Sequence, residues 1–254
     1  MWEKIQDEIV QYVEDYPRTH QTPTRWRRPV MGVADAADPL FPALKEIVGP
    51  THALPEDLVP GARSVIAYFM PFTEDVVKSN IEHEPSSAEW AQAYVDTNQM
   101  LTDLNAHLCA FIEAAGYHAS NLPPTYNYDE ENLRSDWSHR SAAVIAGVGT
   151  FGVHHMLITA SGCCGRIGSV VTDMPLPPTP RPAEELCLFK RKGTCGACTK
   201  RCVADALSIE GGVEFYDKWA CNHQLYGIMV HRGFPGADSC GKCMVAVPCA
   251  MKAP

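Results

Sequence analysis

The sequence lacks the features that would place the protein in a membrane or outside the cell. Its 254 residues contain no apolar run that approaches the roughly 18–20 residues of a membrane span. The N-terminus, Met1 to Glu8, has no apolar segment of the kind that a secretory signal requires. Arg27-Arg28 leads into acidic residues and does not form an export signal. We therefore expect a reduced, cytoplasmic protein with no membrane partner.

Other absences argue against nucleotide-binding motifs, repeat architectures and nucleic-acid binding. The sequence has no P-loop, no G-x-G-x-x-G motif and no repeat with a period of 20–50 residues. Its net charge of −9 argues against a nucleic-acid partner, because binding phosphates requires a basic face.

Cysteine, in contrast, is abundant and clustered. Eight of the 11 cysteines lie in the last 68 residues, in two spaced sets of four. The first set is Cys187, Cys195, Cys198 and Cys202, and the second is Cys221, Cys240, Cys243 and Cys249. Eight thiolates is the number that two [4Fe–4S] clusters need. The pattern therefore predicts a protein that transfers single electrons.

Two other uses of the cysteines compete with this interpretation. Disulfides need an oxidising compartment, which the N-terminus does not indicate. Zinc is the stronger rival, because Cys195–Cys198 and Cys240–Cys243 are both C-x₂-C pairs. However, Cys202 completes a C-x₂-C-x₃-C run, the end of the bacterial ferredoxin motif, whose last cysteine binds the other cluster. By analogy with two-cluster ferredoxins, one cluster takes Cys187, Cys195, Cys198 and Cys249, and the other takes Cys202, Cys221, Cys240 and Cys243.

Hydrophobic periodicity predicts an α+β fold. We expect helices over about 3–15, 87–115 and 137–147, strands over 64–70, 153–159 and 166–173, and an irregular segment over 17–62. The proline-rich residues 174–182 predict a linker. It would separate a cofactor and substrate domain, residues 1–182, from a cysteine-rich domain, residues 183–254. Cys109 lies beside the apolar face of the long helix and is expected to be a core thiol.

Two glycine-rich stretches, residues 147–159 and 165–173, followed by the two cysteine sets, resemble the epoxyqueuosine reductase family and the related reductive dehalogenases. The resemblance implies a nitroreductase-like corrinoid-binding domain followed by a bacterial two-[4Fe–4S] ferredoxin-like domain, and hence cobalamin as a cofactor. The family continues into helical repeats that help to hold tRNA, whereas this sequence stops five residues after Cys249. Together with the acidic charge, this makes tRNA an unexpected substrate. We expect a small-molecule substrate and an electron donor such as ferredoxin or flavodoxin.

The proton donor that such a reductase needs is predicted in the segment before the glycines. Asp136 holds the place of the family's acid, and beside a flat apolar cofactor it could hold a proton near neutrality. Alternatively, Asp136 is only the N-cap of the next helix. Tyr126 and Tyr128 are alternative acids or packing residues of a loop. The candidates for cofactor binding are Gly147, Gly149, Phe151, Gly152, His154, His155 and Leu157.

Three further features remain open in the sequence. His154 and His155 fall at the predicted start of a strand, where only one of them would face a given cavity. Cys163 and Cys164 form either a redox dithiol or part of a tight turn, since glycines flank them. A group of basic residues around the first cysteine set either balances cluster charge or docks an acidic electron donor: Lys190, Arg191, Lys192, Lys200 and Arg201.

The sequence thus predicts an iron–sulfur oxidoreductase that passes electrons to a corrinoid for reductive cleavage of a small substrate. The alternative is a non-catalytic electron carrier, or an activator that reduces a separate corrinoid protein. Both would share the cysteine-rich domain, so the cysteines cannot separate the two functions. A cofactor pocket with a poised acid would.

Overall fold

The computed structural model describes residues 1–82, 84–232 and 239–254 as helices combined with short antiparallel sheets. The helices are α1 (Trp2–Thr19), α2 (Leu40–Ile47), α3 (Pro55–Leu58), α4 (Glu74–Ser79), α5 (Ala88–Ala114), α6 (His139–Ile145), α7 (Leu188–Lys192), α8 (Ala197–Arg201) and α9 (Lys218–Arg232). The strands are β1 (Val30–Asp35), β2 (Ser64–Pro71), β3 (Tyr128–Asp129), β4 (Arg134–Ser135), β5 (Gly149–Phe151), β6 (Leu157–Thr159), β7 (Gly165–Thr172), β8 (Leu207–Glu210) and β9 (Val213–Tyr216). No helix within these ranges has the length and apolarity required to cross a membrane. The expected α+β class is confirmed.

A three-stranded antiparallel sheet in the order β1-β2-β7 forms the centre of the N-terminal part. Every residue of β2 is buried, because both faces of the sheet are covered. Ile66, Tyr68 and Met70 pack with α1 and α5, whereas the alternating residues Val65 and Ala67 pack with α6 on the other face. The predicted buried strand is therefore confirmed.

The long helix α5 also begins and ends close to the predicted residues. Ser87 is its N-cap, and the Ser87 hydroxyl accepts a hydrogen bond of 3.0 Å from the backbone N–H of Trp90. Gly116 follows the helix with a φ of +85°, a conformation that glycine adopts without a steric penalty. The helix packs its apolar face on β7 and α1.

Two sequence predictions are wrong. Residues 17–62 are not irregular, because β1, α2 and α3 lie within them. Of the strand expected over 153–159 only the last part is present, as β6, and His155, with a φ of +56°, lies in the turn that joins β5 to β6. The helix expected over about 137–147 is present as α6, with Ser138 rather than Asp136 as its N-cap.

The proline-rich segment over 174–182 lies along the N-terminal sheet. The backbone N–H of Leu176 donates to the Ser64 hydroxyl at 3.0 Å. Thr179 donates its backbone N–H to the Val33 carbonyl at 2.8 Å, and its hydroxyl accepts from the Val33 N–H at 3.0 Å. The segment therefore covers the edge strand β1. Its prolines fit this position because they have no backbone N–H that would need a hydrogen-bond partner.

The cysteine-rich part shares a hydrophobic core with the N-terminal part. Phe72, Trp90 and Ile158 pack in one cluster with residues of the 187–250 region. Arg27 donates from one guanidinium nitrogen to the Met251 carbonyl at 3.1 Å and from another to the Ser161 carbonyl at 2.7 Å. These contacts fix the position of the C-terminal cysteines relative to the β5–β6 hairpin.

Candidate functional site

The first group of four thiols lines one pocket. Cys187 precedes α7, Cys195 lies in the next loop, Cys198 lies in α8, and Cys249 comes from the C-terminal segment. The remaining lining is mostly apolar, with Phe189 and Val247 among its residues and His154 as a polar member. Burial, together with the smaller effects of the neighbouring thiols of Cys249, Cys187 and Cys195, raises the pKa of the Cys198 thiol to about 12.

The second group consists of Cys202, Cys221, Cys240 and Cys243. Burial raises the pKa of the Cys240 thiol to about 11, with Cys221 and Cys202 among the charged neighbours that add to the rise. Burial also holds the pKa of Cys243 well above its ordinary value, and the charges of Cys240, Cys221 and Cys202 contribute smaller increases. The four thiols are therefore close neighbours, although their residues span 42 positions of the sequence from Cys202 to Cys243.

The structure thus groups the eight cysteines in the four-and-four pattern that the analogy with two-cluster ferredoxins implied. Cys202 follows Cys198 in sequence but lies with the second group, and Cys249 follows Cys243 but lies with the first. Four neighbouring thiols, buried or partly buried, that raise one another's pKa would repel strongly as thiolates unless a metal centre neutralised them. These donor sets fit [4Fe–4S] clusters, and by number they also fit tetrahedral zinc. Ligation of clusters by these residues stays a prediction.

Helix α8 connects the two groups. Cys198 lies within the helix and Cys202 is its C-cap, so the two cysteines are separated by about one helical turn, or about 6 Å of rise. The charge of Cys198 also contributes to the raised pKa of Cys243, which is a member of the other group. Two metal centres held here would therefore be near neighbours.

His154 and His155 face different thiol groups. His154 is buried, and its Nε2 atom lies 3.5 Å from the Cys249 Sγ of the first group. The His155 ring stacks on Tyr216 with 4.6 Å between the ring centroids, and the Tyr216 hydroxyl is hydrogen-bonded to Cys221 of the second group. The expectation that strand alternation separates the two rings is wrong, because the left-handed turn at His155 separates them instead.

Arg140 and Tyr216 are functional candidates that the sequence did not indicate. The guanidinium of Arg140, with Nη1, donates to the His155 carbonyl at 2.9 Å. Arg140 keeps contact with solvent, but the protein atoms around it desolvate the guanidinium enough to lower its pKa. Burial raises the pKa of Tyr216, and the charge of Cys221 adds to the rise. Nothing in the local sequence marks either residue, since only the packing of α6 and β9 against the turn at His155 brings them together.

The predicted acids lie in a different environment. The Asp136 carboxylate accepts a hydrogen bond of 2.6 Å from the Thr51 hydroxyl, and its backbone bonds to Ala53 and Tyr126. Within the described ranges, these contacts include no cysteine. Tyr126 is half-buried and Tyr128 is exposed at the start of the β3–β4 hairpin. The alternative that Asp136 is a helix N-cap is wrong, because Ser138 has that role.

The glycines proposed for cofactor binding are closely approached by the protein itself. A Cβ atom at Gly147 would lie 2.7 Å from the Pro180 carbonyl oxygen, and one at Gly152 would lie 2.6 Å from the His154 ring. At Gly149 a Cβ atom would overlap the carbonyl of Ile158 in the paired strand. Phe151 and Leu157 are paired across the same hairpin. Close packing thus accounts for small residues at these positions.

Cys163 and Cys164 are free thiols that precede β7. The tight turn lies just before them, where Thr159 and Gly162 exchange backbone hydrogen bonds of 3.0 Å and 2.9 Å. Cys163 Sγ lies 4.0 Å from Cys249 Sγ, and Cys164 Sγ lies 3.2 Å from the Met244 carbonyl oxygen. Cys163 therefore borders the first thiol group, a position that the sequence did not indicate.

Some of the basic residues near the first thiol group have partners within the protein. Lys190 pairs with Glu214 at 2.8 Å, Arg191 donates to the Pro254 carbonyl at 2.8 Å, and Arg201 donates to the Ile81 carbonyl at 2.7 Å. Lys192 and Lys200 are exposed. Docking of an acidic donor at this surface stays a prediction.

Neither a family model nor a curated protein matches the sequence. Solved structures do match the fold. An epoxyqueuosine reductase from Streptococcus thermophilus is 12% identical over 95% of this chain, with a TM-score of 0.54, and one from Bacillus subtilis is 15% identical over 96%, with a TM-score of 0.53. A catabolic reductive dehalogenase is 17% identical over 88% of this chain, with a TM-score of 0.56. The chain spans 66% of the length of each of these reductases and 30% of the dehalogenase. The likeness shows a shared α+β fold.

Proposed function

We propose that this chain is an iron–sulfur reductase that passes single electrons through two [4Fe–4S] clusters to a corrinoid in the N-terminal domain, for reductive cleavage of a small substrate. The observation that carries the proposal is the four-and-four arrangement of the eight thiols, with α8 supplying a cysteine to each group. The fold shared with epoxyqueuosine reductases and a reductive dehalogenase supports the same assignment.

Each cluster would take four of the eight cysteines as ligands. The first cluster is held by Cys187, Cys195, Cys198 and Cys249, and the second by Cys202, Cys221, Cys240 and Cys243. Bound clusters supply one-electron transfer, and a bound corrinoid supplies the metal centre at which the substrate bond is cleaved. The short separation along α8 supports rapid transfer between the two thiol groups.

The corrinoid would lie against the β5–β6 hairpin, near Arg140, His155 and Tyr216. Among the described residues, the buried Nε2 atom of His155 has no hydrogen-bond partner, which is the condition expected where a bound group is absent. The φ of +56° at His155 costs conformational energy, and strain of this kind often marks a functional site. His155 would orient the cofactor, and Arg140 would hold the turn in place through the His155 carbonyl.

Asp136 would supply the proton. In the structure its carboxylate is bonded to Thr51, so it must leave this contact to reach a substrate. One solved epoxyqueuosine reductase from Bacillus subtilis is described as having the loop of its catalytic aspartate swung out of the active site. That description supports the proposal that the segment over 126–136 moves here as well.

Anaerobic iron and sulfide analysis tests the clusters. We expect about eight iron and eight sulfide ions per chain, as two [4Fe–4S] clusters require. Zinc without sulfide would overturn the proposal. Cys198→Ser and Cys249→Ser should remove the same cluster, and Cys202→Ser and Cys243→Ser the other one, each leaving about four irons. Cys109→Ser is the matched control, because this buried thiol lies in α5 outside both groups.

Titration with cobalamin, followed by its visible spectrum, tests the corrinoid site. We expect a spectral change in the wild-type protein and a weaker one in His155→Phe. His118→Phe is the control, because His118 is exposed and bonded to Asp173. No spectral change in a protein that holds both clusters would favour the second function, an electron carrier or activator. The described contacts of Asp136, all of them outside the thiol groups, are the observation that favours that alternative.

Two further assays test the donor and the acid. Reduced ferredoxin or flavodoxin should reduce the clusters, and the rate should fall as salt increases if the exposed Lys192 and Lys200 dock an acidic donor. Asp136→Asn should abolish turnover of a cleavable substrate while cluster reduction stays intact. Full turnover in Asp136→Asn would remove this residue from the proposed mechanism.

A further inference from the structure

We propose that His154 and Cys163 raise the reduction potential of the first cluster by donating hydrogen bonds to the thiolate of its ligand Cys249. The inference rests on the proposed function, since it requires a cluster at the first thiol group. Both donors come from the N-terminal part of the chain, and the ligand comes from the C-terminal segment.

The tautomer of His154 follows from its hydrogen bonds. The backbone N–H of Met156 donates to His154 Nδ1 at 3.1 Å, so Nδ1 must be the unprotonated nitrogen of the neutral ring. Nε2 therefore carries the proton, and it lies 3.5 Å from Cys249 Sγ. The bond from Met156 to His154 joins residues two positions apart, so the hairpin by itself fixes the tautomer in which the Nε2–H faces the Cys249 sulfur.

Cys163 approaches the same sulfur from another side. Its Sγ atom lies 4.0 Å from Cys249 Sγ, about twice the length of a disulfide bond, so the two are separate thiols. The backbone N–H of Cys163 donates to the Cys249 carbonyl at 2.9 Å, which fixes the two residues side by side. Cys164 lies 3.2 Å from the Met244 carbonyl, closer than the 3.8 Å of Cys163. The S–H of Cys163 is thus the donor available to Cys249.

Hydrogen bonds to the ligating sulfur stabilise the reduced cluster. Reduction adds one electron from a one-electron donor, such as dithionite in the assay, and the added negative charge spreads onto the ligand sulfurs. No covalent bond forms or breaks, and His154 and Cys163 keep their protons. Donors that point at a ligand sulfur favour the more negative state, and hydrogen bonds to sulfur are a recognised determinant of cluster potential.

The same geometry permits a different role that the experiment must separate. His154 Nε2, Cys163 Sγ and Cys249 Sγ all lie within 4.8 Å of one another, so the three atoms could bind one metal ion. A ligand and a hydrogen-bond donor differ in one measurable respect. Replacing a ligand removes iron, whereas replacing a donor keeps the iron and shifts the potential.

The test is a redox titration of the purified, cluster-containing protein followed by electron paramagnetic resonance, with iron counted in the same samples. In His154→Phe we expect about eight irons and about a tenfold lower ratio of reduced to oxidised first cluster at a fixed potential, which equals about 59 mV. His154→Gln, which can keep an N–H donor, should restore part of the shift. Cys163→Ala should shift the potential in the same direction. His118→Phe and Cys109→Ala are the matched controls and should shift nothing.

An unchanged potential in both His154→Phe and Cys163→Ala would overturn the inference. Loss of about four irons in either variant would also overturn it, because it would make that residue a ligand. If His154→Phe does not fold, the smaller change Cys163→Ala decides the outcome. A wild-type protein without iron would instead overturn the proposed function, so the two failures are distinguishable.

Discussion

Asn80 is predicted to couple the folding of the N-terminal part to the second thiol group. It is fully buried, and its side-chain amide donates to the Cys240 carbonyl at 2.8 Å. Its side-chain oxygen accepts from the backbone N–H of Ser87 at 3.0 Å, and its own carbonyl accepts from Lys242 Nζ at 2.8 Å. One side chain thus joins the start of α5 to the loop that carries two of the predicted cluster ligands.

The expected cost of Asn80→Ala follows from the groups left without partners. The substitution removes the side-chain bonds to the Cys240 carbonyl and to the Ser87 N–H, while the backbone bond to Lys242 can remain. Each buried group left without a partner costs about 1–3 kcal/mol, so we expect a loss of about 3 kcal/mol from the free energy of unfolding. This is a large share of the stability of an ordinary domain, about 5–15 kcal/mol.

Two assays measure the consequence. Anaerobic urea unfolding gives the loss of stability, and the rate of iron release to a chelator gives the stability of the second cluster. Asn105→Ala is the matched control, because Asn105 is also buried and donates to the Leu122 carbonyl away from the cysteines. It should lose stability without faster iron release. A loss below about 1 kcal/mol in Asn80→Ala, with unchanged iron release, would refute the reasoning.

Two other predictions follow from the backbone and from burial. Gly162→Ala should cost more than about 2 kcal/mol in urea unfolding, because Gly162 has a φ of +85° and a Cβ atom would overlap the Ala250 carbonyl, whereas Gly116→Ala, with the same φ and open space, should cost only about 1 kcal/mol. Equal costs would contradict this. Burial lowers the pKa of His139 to about 4, although its hydrogen bond to the Pro123 carbonyl opposes the shift. Below about pH 6.5 the unfolded chain therefore binds a proton that the folded protein does not bind until about pH 4. The free energy of unfolding thus decreases as the pH is lowered, by about 1 kcal/mol at pH 5.5. His139→Gln should lose this slope in unfolding measured from pH 7 to 5.5, and an unchanged slope would assign it to another group.

The sequence was sufficient to predict features that depend on the local spacing of residues. The grouping of the eight cysteines follows from the analogy of C-x₂-C-x₃-C with two-cluster ferredoxins, in which the last cysteine of the run binds the other cluster. The limits of β2 follow from a continuous apolar run that ends at Pro71, and those of α5 from helical spacing between the serine cap and Gly116.

The sequence was insufficient where a distant contact decides the conformation. The strand β1 was missed because its burial depends on pairing with β2 and on the cover given by residues 174–182. The turn between β5 and β6 was missed because His155 adopts a left-handed φ that a histidine rarely takes. The roles of Arg140, Tyr216 and Cys163 were missed for the same reason, since each residue contacts the hairpin or lies in the segment after it.

That turn is also where the two halves of the candidate site meet. His154 contacts Cys249 of the first thiol group, and the next residue, His155, contacts Tyr216 beside Cys221 of the second. The two adjacent rings reach separate groups across a left-handed backbone turn, with a φ of +56° at His155. The left-handed turn thus lets one short hairpin reach Cys249 of the first thiol group directly and Cys221 of the second through Tyr216.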